Sequence, residues 1–440
     1  MKVEHLVIKD LSRLHRLSQK AGVCYVKALI LLARRFLAMW RLGFFFHEMG
    51  YGLLSIFLPL YIMSISMDSG NGLYYIGIFS AVALFLAIPA SFLWGYLCDK
   101  TRRYKRYILL SFLASAVILY LFTYTTSVVL LVILYGVMSI LHVAHEAPKN
   151  VLIAELYSHQ DWDRSFAFYE GFTEFGWLIG LLLGFFTSTY GFSSATTLFV
   201  CSGLNMVGFA LSLVLVRDPA LVFERSLVSM EKRVDFASRG VFVASRLLDG
   251  ASITEKLKRE NVNAFCGGLI LFSLASSILF TPLPVFIRNA VSDASLPAGL
   301  VFAIYVLNSG GAVMGYALMG RRSEQSMGKT SLRRIVLSRG LFAFVFIVAL
   351  NLSAATSVGL ATSLLVLMGF LYAMFIVSTL SLSMELIPAG KSGMFNVLIG
   401  VGGAFGSFIG PFVAQTFGFF SVFVTAGVIF LFAYVAFRLF

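Results

Sequence analysis

Charge is what this sequence has least of. Only 12% of its 440 residues are Asp, Glu, Lys or Arg, about half the share of a typical soluble chain. A soluble multi-domain enzyme is excluded on that ground. Cysteine is scarce as well: Cys24, Cys98, Cys201 and Cys266 are scattered, with no CxxC pair, so neither a disulfide framework nor a cysteine zinc site is indicated. Segments of about ten residues alternating apolar and polar, which a membrane barrel needs, are missing too. What fills the chain instead is apolar: 59% hydrophobic residues and a mean hydropathy of +0.89. Runs such as Val128–Leu141 and Leu364–Phe375 are apolar on every face and read as helices inside a bilayer, where about 20 residues make one crossing.

Twelve such runs are predicted, near 40–64, 73–97, 107–126, 128–148, 165–188, 194–216, 264–287, 297–319, 335–354, 358–384, 393–416 and 418–437. The net charge of +13 is resolved by its placement. Residues 1–39 carry Lys2, Lys9, Arg13, Arg16, Lys20, Lys27, Arg34 and Arg35, and of all basic residues only Arg288 falls on the opposite side. The positive-inside rule therefore puts both termini in the cytoplasm of a multi-pass cytoplasmic-membrane protein, and nucleic acid is not an expected partner. Val23–Ala33, interrupted by Lys27, reads as an amphipathic helix on the inner leaflet. The expected organisation is a basic amino-terminal segment (1–39), a six-helix bundle (40–216), a cytoplasmic central loop (217–262) and a second six-helix bundle (263–440).

The two bundles repeat. Glu155-Leu156 recurs as Glu385-Leu386 at an offset of 230, which also carries Gly176 to Gly406 and Gly180 to Gly410. Gly95-Tyr96 recurs as Gly315-Tyr316 at an offset of 220. Internal repeats of this kind mark many transporter folds. The connection after the second span, Gly95-Tyr96-Leu97-Cys98-Asp99-Lys100-Thr101-Arg102-Arg103, matches the pattern G-x-L-a-D-r-x-G-R at Gly95, Leu97, Asp99 and Arg103. With twelve spans in a six-plus-six repeat, the chain resembles the major facilitator superfamily (MFS) of secondary transporters over about residues 40–440.

That resemblance implies an all-α polytopic fold of two pseudo-symmetric bundles, no catalytic residues and no cofactor. It also implies a conformational latch at Gly95, Asp99, Arg102 and Arg103, closing against the start of the eleventh span near Lys391-Ser392-Gly393. Glycine at position 95 admits a neighbouring helix, and a carboxylate at 99 accepts bonds from a helix amino terminus or from arginine. Arg102 stands where the family pattern has a glycine, which is expected to alter the tight turn. Glycines recur every four residues as Gly176, Gly180 and Gly184 and as Gly402, Gly406 and Gly410. They serve helix packing or, alternatively, a rocking contact between halves. The drug–proton antiporters of the family carry GxxxGP on the fifth helix; here Leu181 holds the proline's place.

Ionisable residues inside spans are costly and mark function by default. They are His47 and Glu48 in the first span, His142, His145 and Glu146 in the fourth, and Glu170 and Glu174 in the fifth. None is expected well inside the second half, which offers Tyr305, Asn308, Tyr372, Asn396 and Gln415 instead. Glu174 lies about ten residues into its span, roughly 15 Å deep at 1.5 Å per residue. Glu170 with Glu174, and His142 with Glu146, share helix faces at i,i+4 spacing. A carboxyl kept from water favours its protonated form, so Glu174, then Glu48 and Glu170, are expected to couple transport to protons, with His142, Glu146 and His47 beside them. A static hydrogen-bonded network is the alternative. His142-x-x-His145-Glu146 also admits a transition metal, although the spacing matches no established zinc motif and no metal site is assigned.

The expectation is a monomeric, proton-coupled secondary transporter in membrane lipid that moves a small organic solute by alternating access. Efflux of amphipathic compounds is favoured, because the only buried fixed charges are potentially negative. The alternatives are organic-solute uptake, transition-metal transport, or a membrane sensor on the same fold. The absence of an intramembrane Arg or Lys argues against phosphate and multivalent organic anions, unless Arg41 or Lys149 reaches the cavity.

Overall fold

A bilayer core offers no water to backbone N–H and C=O groups, so an apolar chain must satisfy them within each segment, as helix. The computed structural model describes residues 39–66, 70–156, 162–218, 261–291, 297–321, 329–386 and 394–440, and these are helical nearly throughout. The amino-terminal segment, the central loop and the stretch around Lys391-Ser392-Gly393 lie outside the described residues, as does the side chain of Asp99.

The elements are α1 (Arg41–Ile65), α2 (Gly72–Thr101), α3 (Tyr104–Phe122), α4 (Val128–His142), α5 (Glu146–Leu156), α6 (Trp162–Thr189) and α7 (Ser194–Leu215). They continue as α8 (Val262–Phe280), α9 (Leu283–Ala290), α10 (Pro297–Arg321), α11 (Lys329–Ala349), α12 (Ala354–Leu386) and α13 (Met394–Leu439). Ten segments among the described residues are long and apolar enough to cross a membrane. One of them, α13, breaks at Gly418 (φ 78°, ψ 173°) into two helical stretches. α11 has 21 residues but begins with three cations, Lys329, Arg333 and Arg334. Counting that break and α11, the architecture is consistent with twelve crossings.

Two departures from the expected spans bear on function. The fourth crossing runs over Val128–Lys149, close to the expected 128–148, but its helix is interrupted by a 3₁₀ turn, Val143–His145, between α4 and α5. α11 begins at Lys329, six residues before the expected start of the ninth span, because basic residues that hydropathy assigns to the loop occupy the first helical turns. That shift carries Arg339 ten residues into the helix.

Packing follows the small residues. α1 lies against α6 and α7, α3 against α7, and α2 against α4; α8 lies against α13, and α10 against α12. Two long contacts join the first set to the second: α6 with α10 and α2 with α13. In the former Gly171 meets Tyr316 and Gly299 meets Thr189; in the latter Gly77 meets Pro411 and Gly400 meets Ile88. Toward the end that carries the α2–α3 turn, Ala167, Ala312, Tyr316, Ala373 and Val377 form a buried cluster across α6, α10 and α12.

Candidate functional site

The first polar assembly is built where α4 breaks. The 3₁₀ turn rotates His142, His145 and Glu146 toward α1, α3 and α6. His47 and His145 are fully buried. His47 Nδ1 donates to Asn205 Oδ1 on α7 at 2.6 Å, and the Asn205 amide is pinned by its Nδ2 donating to Cys201 O at 2.8 Å. His47 Nε2 lies 3.1 Å from His142 Nδ1. His145 Nδ1 donates to His142 O at 2.6 Å, beside Ser111 Oγ, which donates to the same carbonyl at 2.7 Å. His145 Nε2 then faces Glu146 Oε1 at 3.3 Å. Lys149 links Glu146 (2.7 Å) to Glu170 (3.8 Å). Glu48 has Lys149, Glu146, Glu170 and Glu174 as charged neighbours.

The second assembly is a cavity of ≈430 Å³ between the two sets of helices, bounded by α1, α2, α6 and α8–α12. That volume is in the range of small-molecule sites. Glu174 enters it from α6 and Arg339 from α11, with Trp177, Tyr305, Asn308 and Tyr372 around them. Glu174 Oε1 accepts from Ser309 Oγ of α10 at 2.5 Å, a bond between the two halves. Arg339 is 1% exposed, and its guanidinium sits over Phe272, Phe280, Tyr372 and Phe430 at 5.0–5.6 Å. Its one hydrogen bond to a described residue is long, Nη1 to Met368 O at 3.4 Å. Its Nε, together with Tyr305 Oη and Ser276 Oγ, is buried without a partner among the described residues. No described carboxylate lies within ion-pair distance of Arg339.

Several expectations change. Buried charge is not confined to the first half: Arg339 stands in the cavity wall, and the case against anions fails with it. Lys149 is buried too, although it pairs with acids inside the first half instead of reaching the cavity. Glu170 and Glu174 diverge, one to Lys149 and the other to Ser309. His142 and Glu146 do not share a continuous helical face, because the 3₁₀ turn intervenes. Tyr305, Asn308 and Tyr372 line the cavity. Gln415 instead donates to Gly70 O at 3.2 Å, outside the cavity wall.

The glycine ladders pack helices within each half. Gly176 and Gly180 admit the backbone of α1 at Phe45 and Met49, and Gly402, Gly406 and Gly410 admit α8 at Ile270, Leu274 and Ile278. Only Gly184, against Phe302 of α10, reaches the other half, so the rocking-contact alternative is confined to that position. Gly95, expected to admit a helix, has no described atom within 4 Å of where a Cβ would stand. Arg102 keeps the glycine conformation it was expected to disturb: it is left-handed (φ 54°, ψ 27°) and caps α2 through its N–H to Cys98 O. Arg103 begins the next helix as its N-cap.

Sequence reasoning missed Arg339, Asn205 and Ser309. Arg339 had a usable signal, since it sits six residues beyond Arg333, well past the cluster at the start of its helix. Asn205 and Ser309 are ordinary polar residues within apolar runs, and only tertiary contact distinguishes them.

The model of the Major Facilitator Superfamily matches residues 40–411. No curated protein matches the chain. Among solved structures, the nucleoside transporter NupG is similar with a TM-score of 0.63 at 13% identity, covering 92% of this chain and 98% of that one. The human organic anion transporter MFSD10 (TETRAN) is similar with a TM-score of 0.62 at 15% identity, covering 92% and 99%. At these identities the likeness is one of fold, and the family match over most of the chain carries the assignment. The chain belongs to the Major Facilitator Superfamily, a family of membrane transporters of small solutes.

Proposed function

We propose that this protein is a secondary active transporter that moves a small organic anion together with a proton, by alternating access across the cytoplasmic membrane with both termini inside. One observation carries the reading: a fully buried guanidinium in the wall of the central cavity with no carboxylate partner among the described residues. A buried cation without a counter-ion is strongly disfavoured, and arginine is suited to bidentate recognition of a carboxylate. The rings around Arg339 offer the body of such a solute an apolar surface.

Charge balance supplies the coupling. The empty cavity holds Arg339 and Glu174, one charge of each sign. A bound monoanion keeps it neutral only if Glu174 takes a proton. Proton and anion then travel together, which favours uptake down an inward proton gradient over the efflux expected from the acidic residues alone.

The test uses purified protein in liposomes under an imposed pH gradient, with aromatic monocarboxylates, organic cations and neutral nucleosides as substrates. Saturable, electroneutral accumulation of a monocarboxylate is expected, collapsing with the gradient. Accumulation of cations alone, or carboxylate flux indifferent to the pH gradient, refutes the reading.

A further inference from the structure

The histidine cluster is not used by that mechanism, and none of its members lines the central cavity. Among the described residues, His47, His142 and His145 form a group in which one ring nitrogen from each lies within 4.8 Å of the others. Their protonation pattern is set from outside. Asn205 Nδ2 is committed to Cys201 O, so its Oδ1 can only accept, and His47 must carry its proton on Nδ1. His142 O likewise requires a proton on His145 Nδ1. In the neutral imidazoles both Nε2 atoms are left as bare lone pairs. Metal-ligating histidines show this arrangement, with one ring N–H given to a carbonyl or amide oxygen and the other nitrogen free to coordinate.

The His47 Nε2 lone pair faces His142 Nδ1 at 3.1 Å, a second imidazole nitrogen able to share a metal with it. His145 Nε2 is buried without a hydrogen bond, and the nearest polar atom, Glu146 Oε1 at 3.3 Å, is itself an acceptor. An unprotonated imidazole and a carboxylate facing each other require a cation between them, either a proton or a metal ion. Four ligands at about 2.1 Å in a tetrahedral site stand about 3.4 Å from one another; His47 Nε2 and His142 Nδ1 are already 3.1 Å apart.

We propose that His47, His142, His145 and Glu146 bind one divalent transition-metal ion of the zinc class, bracing α1 against the break between α4 and α5. Imidazole with carboxylate is a ligand set that suits zinc and its first-row neighbours over magnesium or calcium. The 3₁₀ turn is part of the site, since interrupted helices recur at functional positions and this one turns His142, His145 and Glu146 toward His47. Access runs past Tyr51, whose ring packs 4.2 Å from that of His142 and which lines a smaller cavity of ≈120 Å³. Ser55, Pro59, Ser80 and Trp177 are common to that cavity and the central one.

The test is metal binding by the full-length protein in detergent, with Co²⁺ and Zn²⁺ as probes. After metal-free purification, one equivalent of Co²⁺ should give the intense visible spectrum of a tetrahedral site, and one equivalent of Zn²⁺ should displace it. His47→Gln and His145→Gln should each weaken binding at least tenfold, with monodispersity on a sizing column confirming that the variants are folded. A wild-type protein that takes up no Co²⁺ overturns the proposal outright, so misfolding of a variant cannot rescue it. Binding that persists unchanged in folded His47→Gln and His145→Gln overturns the assignment of the site.

Discussion

Replacing Arg339 by methionine, a side chain of similar length without charge, separates stability from function. In the wild-type protein the guanidinium is 1% exposed and has four aromatic faces at 5.0–5.6 Å but, among the described residues, only one long hydrogen bond. Four cation–π contacts at about 0.5–1 kcal/mol each offset about 2–4 kcal/mol. Burying the ion costs several kcal/mol. Arg339→Met removes both terms and leaves an apolar chain among rings, so stability should change by no more than about 1–2 kcal/mol, in the stabilising direction if in any. Binding behaves oppositely. A hydrogen bond to a charged group is worth about 1.5–3 kcal/mol, so losing a bidentate pair should weaken a monocarboxylate by at least about a hundredfold. Thermal denaturation in detergent, with and without the monocarboxylate, reads both quantities. The wild type at 100 times its Kd gains about 2.7 kcal/mol from the ligand, and the variant should gain essentially nothing at the same concentration. A variant that keeps the ligand-induced shift, or that loses more than about 3 kcal/mol without ligand, would refute the account of Arg339 as an anion site held at a cost.

Lys149→Met should be strongly destabilising, toward the lower end of about 3–5 kcal/mol, because Glu146 and Glu170 lose their shared cation while remaining about three-quarters buried; adding Glu146→Gln should recover part of the loss in the same melts. Gly180→Ala should cost about 1–3 kcal/mol, since the new methyl meets the backbone of Met49 and Leu53, whereas Gly203→Ala, with open space around it, should be neutral within about 1 kcal/mol; equal melting points would refute the close-packing role. Arg102→Gly should stabilise the α2 terminus by about 1 kcal/mol, because it relieves a left-handed conformation at a helix cap. Glu174→Gln should support exchange of labelled anion for unlabelled anion while cutting net uptake by at least about tenfold, both read in proteoliposomes.

The helical class and the family were legible because they rest on features read directly from the chain. Span length, apolar composition and the sidedness of Lys and Arg are properties of sequence, and the motif around Gly95 and Asp99 supplied the family. The candidate site was legible in part. Glu174 was singled out from its depth alone and stands in the cavity. His47, His142 and Glu146 were each named, but their grouping depends on the 3₁₀ turn at Val143–His145, which periodicity does not reveal inside an apolar run. Arg339 was lost for a physical reason: Arg333 and Arg334 sit in the first turns of α11, and a boundary drawn from hydropathy excludes basic first turns from the helix. Moving that boundary by six residues turns a surface cation into a buried one. The Arg102 turn failed in the opposite direction, because a steric preference for glycine of roughly 1–2 kcal/mol does not suffice to change a conformation that the ends of α2 and α3 both require.

The exchange expected of Glu174→Gln follows from which cavity states can change sides. Reorientation passes through an occluded state in which the cavity loses contact with water, and an unbalanced charge there costs several kcal/mol. In the wild type two states are neutral: empty with Glu174 ionised, and loaded with Glu174 protonated. On the proposed reading, the anion without a proton, or the proton without an anion, leaves one net charge, so the two should cross together and the empty carrier return alone. Arg339 and Glu174 stand on opposite halves and line the same cavity, with Glu174 bonded across to Ser309 (2.5 Å), so both charges are carried into every occlusion. Glu174→Gln leaves Arg339 as the only fixed charge. The empty cavity is then cationic and cannot return, while the anion-loaded cavity is neutral and crosses freely. Counterflow should persist near the wild-type rate while net, gradient-driven uptake falls by at least about tenfold, the factor for each 1.4 kcal/mol of added barrier. Loss of counterflow together with net uptake would mean that Glu174 binds the solute directly, and the charge-balance account of coupling would be wrong.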